Sequence, residues 1–205
     1  VNGKLMNYQG TPVYGILKFQ IKNKDEKITP TVKNNTTVNT VKMKASLKKT
    51  TVVYNGKAQK PQIKEVKVGN NKISSKYYSI SYKNNKNVGT GYAVIRGKGK
   101  YKSYSCTVKF KIIPKSTMIR KITAAKNTAK VKWKKVSGAG GYQIQCSTSK
   151  NFKNAKTKTV KNITALKISK LSGKRTYYVR IRSWKKGGKN VYYSGWSKAK
   201  KVKIK

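Results

Sequence analysis

The chain has 205 residues, enough for one or two domains, and carries 51 Lys and Arg against 3 Asp and Glu, a formal net charge of +48. The acids are Asp25, Glu26 and Glu65, and His is absent. Asp25 and Glu26 are adjacent and Glu65 is remote, so a flanking carboxylate pair for glycoside hydrolysis is not expected, nor is a hydrolase with a His base or a His/Cys metal centre.

Alternation at period two dominates the sequence, with β-branched and aromatic residues throughout and turn clusters between them. This is an all-β pattern of the sandwich kind. Over 1–40, Leu17, Phe19 and Ile21 predict one strand, Gln9-Gly10-Thr11-Pro12 a hairpin turn, and 31–40 a linker. This N-terminal extension could end a preceding domain or pair as a strand with a neighbouring molecule.

Residues 41–115 read as a first unit. Val52-Val53-Tyr54 leads into the turn dipeptide Asn55-Gly56. Tyr78, Ile80 and Tyr82 alternate, 84–89 is a loop, and Cys106, Val108, Phe110 and Ile112 share one strand face. Gly97-Lys98-Gly99-Lys100 lacks the spacing and the Ser/Thr of a phosphate-binding loop and reads as a Gly-rich connection.

Residues 116–205 read as a second unit. Ala129, Val131 and Trp133 share an inward face, as do Tyr142, Ile144 and Cys146, and Tyr177, Val179 and Ile181. Alternation then turns Tyr178, Arg180, Arg182 and Trp184 outward, and Tyr192, Tyr193 and Trp196 follow a Gly-Gly hairpin at 187–188. Lys130, Lys132 and Lys134 on one strand, and Lys201 and Lys203 on the last, are placed outward too. Aromatics interleaved with Arg suit a ligand that stacks while cations hold its phosphate or carboxylate. The same pattern suits aromatics that shield the sheet, with Arg stems over them.

The residues 131–144, with Val131-Lys132-Trp133, Val136-Ser137-Gly138-Ala139 and Gly141-Tyr142-Gln143-Ile144, resemble strands B and C of a bacterial fibronectin type III domain. Leu171-Ser172-Gly173 before Tyr177-Tyr178-Val179-Arg180-Ile181-Arg182 resembles its strand F, and Ser194-Gly195-Trp196-Ser197 the start of strand G. In the first unit, Val53-Tyr54-Asn55-Gly56-Lys57-Ala58-Gln59-Lys60-Pro61, Tyr82-Lys83-Asn84-Asn85-Lys86-Asn87-Val88-Gly89-Thr90 and Gly97-Lys98-Gly99-Lys100-Tyr101 resemble the immunoglobulin-like repeats of Gram-positive surface proteins. The resemblance implies tandem β-sandwiches, Ig-like then fibronectin type III-like, in a secreted or cell-surface spacer, adhesin or accessory part of a wall enzyme. It implies no catalytic residue and no cofactor. The sequence departs from both families in its missing acids, and in Cys146 where an aromatic is usual.

The charge then asks for a partner. A compact chain of this charge repels itself, and must fold in spite of that or with anions bound. Lys-rich drift explains many Lys but poorly explains the loss of acids, whereas a polyanion partner explains both: teichoic acid or another wall polymer, an acidic glycan, nucleic acid or an anionic lipid surface. Only Arg96, Arg120, Arg175, Arg180 and Arg182 are Arg, which favours diffuse attraction over base-specific readout. The alternatives are a spacer, a homo-oligomer or filament subunit joined through 1–40, and an extracellular DNA or RNA binder. Cys106 and Cys146 read as buried free thiols, a pair, or a reactive site, and low cysteine use fits a Gram-positive exterior. No apolar run is long enough for an integral membrane segment. The first residue is Val and no leader is evident, as in a mature product or a piece of a precursor.

Overall fold

Alternation becomes a strand wherever one face finds a second sheet to cover it, and the chain does this twice. A computed structural model describes residues 41–205. The strand, turn and linker expected over 1–40 lie outside the described residues.

The first sandwich uses β1 (Met43–Leu47), β2 (Thr51–Val53), β3 (Ile63–Val68), β4 (Asn71–Lys72), β5 (Tyr78–Lys83), β6 (Gly89–Gly97) and β7 (Ser105–Ile113). One sheet runs β1-β3-β4 and the other β2-β7-β6-β5. Every pairing is antiparallel except β2 with β7, which is parallel from Thr51↔Lys111 to Val53↔Ile113. Met43, Leu47, Val66, Val68, Ala93, Ile95, Phe110 and Ile112 fill the core. The Asn55-Gly56 turn forms, with Gly56 at φ +82 and the Asn55 side-chain oxygen Oδ1 accepting the Lys57 N–H at 2.9 Å. It closes no hairpin. It opens the crossover over 54–62 that carries the chain from β2 to β3 in the other sheet.

The second sandwich uses β8 (Ile119–Ala125), β9 (Thr128–Trp133), β10 (Gly141–Ser147), β11 (Lys156–Val160), β12 (Ala165–Ile168), β13 (Thr176–Gly187), β14 (Asn190–Tyr193) and β15 (Lys200–Lys203). The sheet β12-β9-β8 faces β11-β10-β13-β14, and β15 also pairs with β13. The pairing of β13 runs with β14 at Trp184–Gly187 and with β15 at Thr176–Val179. This is a fibronectin type III-like sandwich. All three predicted inward sets are buried, Cys146 included. Two tyrosine hydroxyls tie loops to the core: that of Tyr142 accepts the Val136 N–H at 2.8 Å, and that of Tyr177 accepts the Ser172 N–H at 3.0 Å, a tyrosine corner. Trp133 meets Tyr142 edge-on with ring centres 5.4 Å apart.

The thiols are free and belong to separate cores, Cys106 half-buried in the first and Cys146 buried in the second. The sandwiches touch directly. The hydroxyls of Thr90 and Tyr192 are 2.7 Å apart, and the Ser183 hydroxyl donates to the Lys115 carbonyl at 2.6 Å. Among the described residues, no helix is long and apolar enough to cross a membrane.

Candidate functional site

Period two along β13 buries Val179, Ile181 and Ser183 and leaves Tyr178, Arg180, Arg182 and Trp184 half-buried on the outer face. There the two arginines stack. The Arg180 guanidinium lies 4.0 Å from the Phe152 ring centre and 4.5 Å from that of Trp196. Arg182 lies 4.0 Å from Tyr193 and 4.3 Å from Trp196. Phe152, Arg180, Trp196, Arg182 and Tyr193 thus form one alternating stack.

Two polar rungs cross the sheet beneath it. Arg182 donates through Nε and Nη2 to the Gln143 oxygen at 2.9 and 2.6 Å, and Gln143 donates to Thr159 at 3.3 Å. Arg180 Nε donates to the Gln145 oxygen at 2.8 Å, and Gln145 to Thr157 at 3.1 Å. Both acceptors are neutral amides, so among the described residues no acid compensates either arginine. Burial pulls both guanidinium pKa values below the ordinary value. For Arg182, Tyr193 opposes that shift and Arg180 adds to it. Both stay charged at any ordinary pH.

The remaining candidates divide. Trp184 covers Gly141, where a Cβ would lie 2.8 Å from the indole and collide with the Val160 carbonyl, and the Trp184 Nε1 donates to that carbonyl at 3.2 Å. Tyr178 pairs with Lys201 across β13–β15, and Lys203 sits opposite Thr176, so both lysines extend the Arg face. Tyr192 does not share this face. It pairs with Lys185 while Tyr193 pairs with Trp184, and adjacent residues of a strand point to opposite sides. Tyr192 is instead 9% exposed at the junction with Thr90. Lys130, Lys132 and Lys134 are exposed on or just beyond β9, in the opposite sheet of the sandwich, so the structure does not bring them to the arginines.

That opposite sheet has its own pattern. Lys132 stands directly across from Lys121, and Lys130 directly across from Lys167. In the first sandwich Lys44, Lys67 and Lys72 form a row through β1, β3 and β4. Like charges placed directly opposite destabilise a sheet. Among the described residues a single ion pair offsets them, Lys67 with Glu65 at 2.9 Å. The Lys67 hydrogen bond is the main force holding that carboxyl below its ordinary pKa; Lys72 and Lys64 assist, and partial desolvation opposes.

Sequence reasoning missed Phe152, a loop residue at φ +61 with no strand periodicity to expose it. It also missed the glutamine and threonine rungs, whose signal was only the alternation Gln143, Gln145 and Thr157, Thr159. Concave sites lie at the junction of the sandwiches. One, of about 730 Å³, lies between 84–92 and 187–192; another, of about 800 Å³, is lined by Tyr54, Lys115, Met118, Lys134 and Lys135 among others.

No protein-family model matches the chain. No curated protein matches it. Solved structures that resemble it include one described as "Myokine structure" (18% identity, 43% of this chain and 90% of that one, TM-score 0.33). The FN1–FN3 domains of chicken CNTN1 share 14% identity over 58% of this chain and 42% of that one, TM-score 0.38. A beta-1,2-glucanase from Parabacteroides distasonis shares 10% identity over 56% of this chain and 17% of that one, TM-score 0.37.

Proposed function

We propose that this chain is a non-catalytic extracellular or cell-surface module that binds polyanions through distributed lysine, with 41–115 and 116–205 as its two domains. One observation carries the reading: lysines stand directly opposite lysines in both sandwiches, at Lys44↔Lys67↔Lys72, Lys121↔Lys132 and Lys130↔Lys167. Each such pair costs stability in the free protein, and an anionic polymer lying across the rows relieves that cost. The half-buried arginines Arg180 and Arg182, paired with amides, add charge on the other sheet. Teichoic acid, acidic glycans and nucleic acid all present the required charge.

The test is titration of the full chain against DNA, heparin, wall teichoic acid and a neutral glycan, at about 50 and 300 mM salt. Binding to all three anions that collapses at the higher salt supports the reading. Binding no stronger than to the neutral glycan overturns it.

The direct contacts Thr90–Tyr192 and Ser183–Lys115 favour a second reading, a stiff spacer. A filament subunit assembled through 1–40 is a variant of it. Small-angle scattering that required free rotation between the sandwiches would remove the spacer reading.

A further inference from the structure

We infer that the cleft between the sandwiches, formed by 84–92 and 187–192, binds an acidic sugar unit. The inference rests on the polyanion reading only for the sign of the ligand's charge.

The cleft measures about 730 Å³, within the range of small-ligand sites, and it lies at a domain junction, where such sites are common. Its walls are fixed. On one side the loop is pinned at Asn85, whose side chain donates to the Gln59 carbonyl at 2.9 Å and whose own carbonyl accepts the Gln59 N–H at 2.6 Å. On the other side, the hairpin of β13 and β14 turns at Gly188, with φ +62. The two backbones meet at Gly187, where a Cβ would lie 2.6 Å from the Val88 carbonyl oxygen. The Thr90–Tyr192 hydroxyl pair closes the contact. A ligand would therefore meet a preformed site and spend little on ordering it.

The lining sets the ligand's chemistry. Asn87 lines one wall and Asn190 the other, and each amide offers a donor and an acceptor suited to ring hydroxyls. Tyr92, half-buried, supplies an aromatic surface for an apolar sugar face. Lys86 and Lys189, one on each wall, supply cations for a carboxylate, and no acid is among the described residues that line the cleft. A bare phosphate chain would use the lysines and the amide N–H groups but leave the amide oxygens and the ring without a partner. A neutral sugar would use the amides and ring but leave both lysines without a counter-ion.

The test uses the full chain labelled with nitrogen-15, titrated at about 300 mM salt with trigalacturonic acid, with maltotriose as neutral comparator and inorganic polyphosphate as the sugar-free anion. Trigalacturonic acid is expected to shift the amides of Tyr92, Asn87 and Asn190. The double variant N87A/N190A, on exposed side chains, should weaken it by about tenfold, and K86Q/K189Q should reduce its affinity to that of maltotriose. Shifts spread over the lysine rows, or variants within about twofold of the parent, would overturn the cleft while leaving polyanion binding intact. Cleft shifts without any DNA or heparin binding would overturn polyanion binding and leave the cleft standing.

Discussion

Arg182 gives two N–H groups to one oxygen of Gln143, at 2.9 and 2.6 Å, in a position where a carboxylate would form a forked ion pair. The amide satisfies the hydrogen bonds and leaves the charge. Gln143→Glu should therefore stabilise the protein by about 1 kcal/mol, which is about 2–4 °C in thermal midpoint for a chain of this size. It should also weaken heparin binding. A midpoint that stays level or falls would mean that desolvating the new carboxylate outweighs its attraction to Arg182.

Tyr142 is fully buried, and its hydroxyl is the partner of the Val136 N–H. Tyr142→Phe removes that partner and keeps the ring against Trp133. The expected cost is about 1–3 kcal/mol, read as a lower urea midpoint with an unchanged slope. A loss below about 0.5 kcal/mol would show that water reaches the Val136 N–H.

Salt should stabilise this protein. The Lys121↔Lys132 and Lys130↔Lys167 pairs repel at short range, and the rest of the +48 charge repels at longer range. Raising NaCl from about 10 mM to about 1 M shortens the screening length from about 30 to about 3 Å, and the thermal midpoint should rise throughout. At equal ionic strength sulfate should raise it further if anions bind the folded state. A flat response would show that self-repulsion does not limit stability.

The two thiols should react in a fixed order. Iodoacetamide at about pH 8 should modify half-buried Cys106 first and spare Cys146 until the second sandwich opens. Burial pushes the Cys146 thiol up to about 11, against the pull of Lys156. The folded state thus keeps this proton longer than the unfolded chain does. The stability this site contributes is complete below the ordinary thiol value of 9.0 and is lost as pH rises towards about 11. Equal labelling rates in the native protein would contradict this protection.

The strands legible in the sequence are those with one buried face. β9, β10 and β13 alternate cleanly because each lies across a core. β11, Lys-Thr-Lys-Thr-Val, is exposed over Lys156–Thr159, so no apolar signal marks it. β4 is two residues long and carries none either. Alternation along one strand correctly turned Lys130 and Lys132 outward. It could not place Lys167 and Lys121 opposite them, because register between strands is set by packing and by the loops. The same gap misplaced Tyr192 beside Tyr193. A hairpin's residues can be assigned to faces only when their partners, here Lys185 and Trp184, are known. The Arg–aromatic stack was half legible: Trp196 and Tyr193 were visible, and Phe152 arrives from a loop.

The parallel pairing of β2 with β7 has a consequence for biosynthesis. Thr51 cannot find Lys111 until the intervening chain has been made, so the four-stranded sheet of the first sandwich lacks its inner strand β7, and β2 its partner, until that sandwich is almost complete. Pairings this distant in sequence are slow to form. Ile113, the last residue of β7, is followed almost at once by Lys115, which anchors the second sandwich through Ser183. Until β7 emerges, the nascent chain therefore carries β2 and β6 with open edges, on a chain dense in lysine. In that interval its charge, rather than its fold, keeps one copy from adding its strands to another.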